Sequence, residues 1–451
     1  MNFKAFFFLL LANIVECFDG EILKYSLNID LTPFYIDHED IFNGHVGIHL
    51  KLNKPSSELI LDAENLKISL VKVNNTVVKG SLKEKKVHIS GQFKNADYFV
   101  DIGYSGIINN HKTGGLYKVL YKKNTKALLA THLEPEKARA VFPCFDDPNL
   151  KAKFQLSITL PKGLTSFSNT EILSRSTISD RLEKVVFDET LSMSTFLFAL
   201  VVGEFRVKEI KYKKRVDLRI ATVIENKELL DKVMGYAVDC LESMEEYTQV
   251  EYPMNKLDHI DVLRMPTLAM QNFGLITYSN SFGVTSDLEI KEELEQRRLV
   301  CHETAHQWFS NIITTNDWGQ IFLHEGFATY FEDIVFKTST NDEKIALETK
   351  RVQNFQEGIQ EKLFNGHPII SKKFVSDETV YLSAGAVIQM VENVIGREKF
   401  RNSIQILIEE HFLGNFDYND VINAFEKVRK SSKKVVFFDT NEVIAYLRAK
   451  E

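Results

Sequence analysis

What this sequence has little of narrows the reading first. Four cysteines in 451 residues, Cys17, Cys144, Cys240 and Cys301, are too few and too scattered for a disulfide framework or a cysteine-rich zinc module. Nine prolines and 21 glycines exclude a collagen-like or linker-dominated chain. There is no long block of lysine and arginine. The balance of 55 Lys+Arg against 62 Asp+Glu, a net charge of -7, supplies no electrostatic footprint for nucleic acid. Apolar runs stay below the about 20 residues that span a bilayer. Against these absences stands a hydrophobic content of 44% with 33 Phe, enough to bury a sizeable core and to exclude a disordered chain. At about 150 residues per domain the length allows two or three domains.

Lys4 precedes an apolar run from Ala5 to Val15, and Val15 and Cys17 occupy the positions before a cleavage site. Residues 1–17 therefore read as a signal peptide. The mature protein is expected to be secreted, in the secretory pathway or outside the cell, with no transmembrane span. Losing Cys17 leaves three cysteines, so at least one thiol stays free or pairs between chains. Asn74-Asn75-Thr76 is an N-glycosylation sequon and agrees with a secreted glycoprotein.

The pattern changes near residue 220. From Tyr25 to about Phe205 it is short and alternating, with Tyr25, Leu27, Ile29 and Leu31 on one face and Val46, Ile48 and Leu50 on another. Period two over many short runs predicts antiparallel sheet, punctuated by turns at Lys162-Gly163, Gly103 and Gly114-Gly115. From Asn226 the period lengthens: Leu229, Val233, Tyr236, Ala237, Cys240, Leu241, Met244 and Tyr247 follow helical spacing. The second half is predicted to be mainly helical, with strands near Ile260–Val262 and Gly274–Tyr278.

His302-Glu303-Thr304-Ala305-His306 lies in a helical stretch flanked by Leu299, Val300, Trp308 and Phe309. Spacing i, i+4 puts both imidazoles on one helix face, where they can share a metal ion, and a tetrahedral zinc site then wants a third protein ligand. Glu325 and His324 both stand in the next helical segment, Leu323 to Glu332. Neighbouring helical residues point about 100° apart, so only one of them can face the metal.

These residues resemble the zinc aminopeptidases of the gluzincin clan, the group containing aminopeptidase N, puromycin-sensitive aminopeptidase and the endoplasmic-reticulum aminopeptidases. The resemblance runs from about Tyr25 to Ala449. It is carried by Glu134-Pro135 through Arg139 to Pro148, by Ala269-Met270-Gln271-Asn272-Phe273-Gly274 through Tyr278, by His302 to Asn311, and by Glu325-Gly326-Phe327-Ala328. It implies an α+β multidomain fold, with an N-terminal antiparallel β domain over 18–220 and a thermolysin-like, mainly helical catalytic domain over 221–451. It also implies one zinc ion held by His302, His306 and Glu325, with Glu303 as the base and Glu134, Ala269, Met270 and Gln271 lining the substrate site of an enzyme that removes N-terminal amino acids from peptides. The family's tyrosine hydroxyl falls on Tyr381 when the chain is aligned on Val387, Ile388 and Met390. Aligned on Gly385-Ala386, it is lost to Leu382.

Three departures from the family pattern stand out. Gln271 replaces the glutamate that binds the substrate's amino terminus, keeping its shape and losing its charge, and Gln271→Glu is expected to raise activity. Gly319-Gln320 after Trp318 replaces an acidic pair, so a carboxylate behind the metal ligands is expected to be missing. His324 replaces an asparagine. Two other readings stay open: a catalytically weak secreted peptide-binding homologue, and an endopeptidase of the thermolysin kind. In the family, a large helical domain usually follows and covers the cleft, whereas Val443, Ile444, Tyr446 and Leu447 read as a last catalytic-domain helix before Glu451. Three outcomes are open for that face: a dimer or partner covering it or a more open cleft, a surface already sealed by polar residues, or a sequence that is itself a fragment.

Overall fold

The computed structural model describes residues 18–224, 227–279, 290–334, 340–364 and 379–430, with the single positions 369, 370, 374 and 377. The expected signal peptide and the helix expected around Val443 lie outside the described residues.

Alternation builds the first half. Tyr25, Leu27 and Ile29 are buried on strand Gly20–Asp30 and pair in register with Ile48, Val46 and Gly44 of Ile41–Leu52. Val46 and Ile48 in turn face Ile102 and Val100 of Asp97–Ile107. A one-residue slip would move this whole apolar set to the solvent face, so the pattern fixes the register. These strands form the middle of an eight-stranded sheet, beside sheets of five and three strands. The pairing is mostly antiparallel as expected, with one parallel pair inside the large sheet, between Gly20–Asp30 and Lys153–Pro161. Gly163 is a turn residue with φ 87°, and Gly114 and Gly115 enter strand Gly115–Tyr121 at positive φ. Gly103 is not a turn. It sits inside Asp97–Ile107, opposite an irregularity between Ile68 and Leu70, where a Cβ would meet Ser69 Oγ at 3.0 Å. The glycine accommodates a bulge that a strand pattern alone does not separate from a turn.

The second half has its own sheet, ordered Arg206–Tyr212, Val216–Thr222, Lys256–Asp261, Leu275–Tyr278, Ala269–Met270. The hairpin over 206–222, most of which the expected bound at 220 places in the N-terminal β domain, joins this sheet through a parallel pairing of Val216–Thr222 with Lys256–Asp261. Helix α1 (Lys227–Thr248) makes the crossover, burying every residue of the predicted stripe from Leu229 to Tyr247. Helices α2 (Ile290–Ala305), α3 (Phe322–Ile334), α4 (Asn341–Phe364) and α5 (Ala384–Ile395) follow. A disulfide joins Cys240 of α1 to Cys301 of α2, and Cys144 is a buried free thiol. No helix among the described residues is long and apolar enough to cross a membrane.

The two halves meet at a buried polar junction. Asn169 Nδ2 donates to Leu197 O (2.7 Å) and to Phe273 O (2.8 Å). Lys256, only 1% exposed, donates to Asp258 Oδ2 (2.7 Å), to Gly274 O (2.8 Å) and to Ser168 O. Gly274 has φ 78°, and a Cβ there would lie 2.4 Å from Asn169 O. Two costs therefore coincide at Gly274, whereas Gly163, with φ 87° and open space around it, carries only one. Gly163→Ala is expected to cost about 1–2 kcal/mol from left-handed strain. Gly274→Ala is expected to cost a further 1–3 kcal/mol or about that from the collision. Chemical denaturation of the two variants side by side checks the difference; equal losses would mean that the approach to Asn169 is not tight.

Candidate functional site

Helices α2 and α3 lie against each other and bring three donor atoms together. His302 Nε2 and His306 Nε2 are 3.1 Å apart, and Glu325 Oε2 lies 3.4 Å and 3.5 Å from them. A four-coordinate zinc with ligand distances of about 2.0–2.1 Å has tetrahedral ligand–ligand edges of about 3.3 Å, so the triangle fits that ion. The groups are also prepared for it. His302 Nδ1 is 2.9 Å from Glu332 Oε2, and His306 Nδ1 is 3.0 Å from Phe309 O, which leaves both Nε2 atoms facing each other as metal donors. His324, the competing candidate, is turned elsewhere: the Thr315 N–H donates to its Nε2 at 2.9 Å, and burial with the nearby His306 holds its pKa down at about 3.

Electrostatics within the cluster follow from enclosure. Burial opposes charge on His302, but Glu325 and Glu332 outweigh it and raise its pKa to about 10. Burial likewise opposes charge on Glu325, and His306 and His302 hold its carboxyl far below the ordinary range. Protons thus occupy a site that a cation is suited to take over. Glu303 is buried, its Oε2 has no partner among the described residues, and burial, opposed by His306 and His302, lifts it to about 7.

The remaining predicted residues converge from three directions. The Tyr381 ring stacks beside His302, centroids 6.1 Å apart, while Leu382 lines a separate crevice with Thr329, Tyr330 and Phe355. Gly326 makes this possible, since a Cβ there would sit 2.6 Å from Ala384 Cβ and push α5 away from α3. Ala269 and Met270 form the edge strand, paired with Tyr278 and Thr277. At its end the Gln271 carbonyl accepts from Asn311 Nδ2 (2.8 Å) and Gln307 Nε2 (3.3 Å), and Gln307 Oε1 accepts from Gly274 N. The Gln271 side chain donates to Glu134 Oε2 at 3.4 Å. Glu134 is carried by a loop that Arg139 pins through Asp146, with Nε to Oδ2 at 2.9 Å. Its Oε1 is shut off from solvent without a partner, and enclosure, then Glu325 and Glu303, push its pKa well up.

Sequence reasoning missed Glu332. The carboxylate expected to be lost at Gly319-Gln320 is supplied from α3, seven residues after Glu325 and hence on the same helix face. Gln320 is used structurally, donating to Asp317 Oδ2 and accepting from Tyr418 N. The i, i+7 spacing was readable, but nothing in the sequence tied Glu332 to His302. Glu332→Gln is expected to weaken zinc affinity about 10- to 100-fold with the fold intact. Competition with a chelating dye measures it; unaltered affinity would mean that Glu332 serves only Arg298, whose guanidinium it also binds.

Comparison with known proteins agrees with this geometry. Residues 22–197 match the peptidase M1 N-terminal domain, and residues 232–441 match the peptidase family M1 domain. The chain is 28% identical over 411 residues to putative aminopeptidase-2 of Caenorhabditis elegans, covering 87% of this chain and 22% of that protein. It is 29% identical over 458 residues to human glutamyl aminopeptidase, covering 92% and 47%, and 28% identical over 441 residues to aminopeptidase N of Haemonchus contortus, covering 90% and 45%. It therefore spans about half the length of most of these relatives, and less of the first. With both consecutive domains matched in order and the His302, His306, Glu325 cluster at their predicted place, the chain belongs to peptidase family M1.

Proposed function

We propose that the protein is a zinc-dependent aminopeptidase, with His302, His306 and Glu325 as ligands, Glu303 as base, Tyr381 as oxyanion partner and Glu134 as the group that reads the substrate's amino terminus. The observation that carries this is the buried His302, His306, Glu325 triangle with Glu303 and Tyr381 beside it. When bound, zinc supplies Lewis-acid polarisation of a carbonyl and acidification of water. Glu303 Oε2 is available to accept a proton from water and to return it to the leaving amine. The Tyr381 hydroxyl, on the His302 side of the cluster, donates to the carbonyl oxygen as negative charge builds there. Among the described residues nothing favours the binding-only homologue.

The amine site differs from the expectation built on Gln271 alone. Gln271 is already engaged as a donor to Glu134, so the group that would pair with a substrate ammonium stands at 134, where Oε1 has no partner among the described residues. Gln271→Glu would replace this donor with a second carboxylate 3.4 Å away, a like-charge contact that offsets the expected gain. Selection by Glu134 also favours an aminopeptidase over a thermolysin-like endopeptidase, which has no ammonium to bind.

A secreted location is part of the same proposal. It is supported by the leader-like run before residue 18, by the disulfide between Cys240 and Cys301, which suits an oxidising compartment, and by the sequon on the exposed turn at Asn74.

Two substitutions test the roles. Glu303→Gln is expected to retain zinc and lower amino-acid anilide hydrolysis about 100- to 10,000-fold, because the amide is nearly isosteric but cannot take the proton. Comparable turnover with metal bound would remove Glu303 from the mechanism. Glu134→Gln trades a charge-assisted bond worth about 1.5–3 kcal/mol for a neutral one, so kcat/KM for free amino termini is expected to fall about 10- to 150-fold at constant zinc content. If it does not fall, the amine is read elsewhere.

A further inference from the structure

Residues of both halves line a cavity of about 650 Å³, Tyr121, Lys122, Lys123, Leu263, Arg264 and Ser279 among them. Three cations converge on it from two domains. Lys122 and Lys123 sit in the turn between strands Gly115–Tyr121 and Lys126–His132, and Arg264 precedes the edge strand. Among the described residues no carboxylate lines the cavity and no ion pair engages Lys122, Lys123 or Arg264. The turn also holds Lys122, Lys123 and Asn124 at φ 48°, 56° and 65°, a left-handed run that lysine seldom adopts. In a chain whose net charge is -7, this is a local reversal of sign among the described residues.

The cavity is placed where a substrate would pass. Ser279 N donates to Leu268 O at 2.8 Å, which sets the cavity at the start of the edge strand Ala269–Met270, while Gln271 and Glu134 stand at its other end. Among the described residues that strand is paired on one side only, so an extended peptide can add to its free edge. With its ammonium at Glu134 and running antiparallel, the peptide proceeds from Gln271 toward Leu268 and the cavity. Two rulers bracket the span. Leu268 and Gln271 flank the same strand three residues apart, about 10 Å at roughly 3.3 Å per residue, which measures to the near side of the cavity. Strand Lys126–His132 leads from the Lys122-Lys123 turn toward the Glu134 loop in six steps, about 20 Å, which measures to the far side. Extended substrate covers that range with about three to six residues.

We infer that the cavity formed by Lys122, Lys123 and Arg264 receives a carboxylate of the peptide substrate, its C-terminus or an acidic side chain, about three to six residues from the amino terminus. This rests on the aminopeptidase reading and deepens it: the substrates selected are short peptides ending at that distance, or longer ones acidic there. The preference is electrostatic and falls with added salt.

The test uses the zinc-loaded full chain and neutral peptides of three to nine residues, each as the free acid and as the C-terminal amide. The ratio of kcat/KM for acid over amide is expected to peak at about tenfold between four and six residues, to fall off toward nine, and to shrink at high ionic strength. In the triple charge reversal Lys122→Glu, Lys123→Glu, Arg264→Glu the ratio should fall to one or below. Hydrolysis of a single amino-acid anilide, which reaches no further than the first residue, should persist and reports that the variant is folded. A flat ratio in the wild type, or one that survives the reversal, overturns the inference and leaves the aminopeptidase reading standing. If the anilide is not cleaved at all, that reading fails instead. Calorimetric binding of the six-residue acid and amide then decides the cavity, with equal affinities overturning it.

Discussion

The arrangement depends on a close approach at Gly274. With no Cβ, the chain passes within reach of Asn169 O, and three polar groups use the opening: Asn169 takes the Phe273 carbonyl, Lys256 takes that of Gly274, and Gln307 takes the Gly274 N–H. One belongs to the N-terminal half, one to the catalytic sheet, and one to the turn that ends α2. A buried donor or acceptor without its partner costs about 1–3 kcal/mol, so these bonds hold three elements distant in sequence to a single mutual position. Gln307 and Asn311 then pass that position on to Gln271.

The site itself is a problem of enclosed charge. Four carboxylates with little exposure, Glu134, Glu303, Glu325 and Glu332, face two imidazoles and the Arg298 guanidinium. Burial disfavours every one of these ions singly, and neighbouring opposite charges offset that penalty only in part. A divalent cation held by His302, His306 and Glu325 would supply positive charge where it is short. Glu134 and Glu303 remain with one oxygen each unengaged, which is the condition in which a carboxylate is ready to take an ammonium or a proton.

Much of this was legible beforehand because it is written in spacing. The i, i+4 histidines, the stripe from Leu229 to Tyr247 and the alternation from Tyr25 carry their geometry in their period, and each lies where its period puts it. The choice between His324 and Glu325 needed one further fact, the Thr315 N–H that occupies His324. Tyr381 and Leu382 are separable only once α5 is seen packed on Gly326. What spacing could not show were contacts between distant segments: Gln271 with Glu134, 137 positions away, and His302 with Glu332. A glutamine in place of a glutamate reads as a lost charge until the carboxylate opposite it is known.

The bridge between Cys240 and Cys301 closes a covalent ring with a sequence separation of 61, and the ring encloses the strands Lys256–Asp261, Ala269–Met270 and Leu275–Tyr278. A backbone cut inside such a ring does not separate the chain into two molecules. Leu268, 72% exposed beside the edge strand, is the sort of position at which a protease would make that cut. In the oxidised protein the two pieces would stay joined one residue away from His302, so a nicked molecule would migrate as two bands only after reduction.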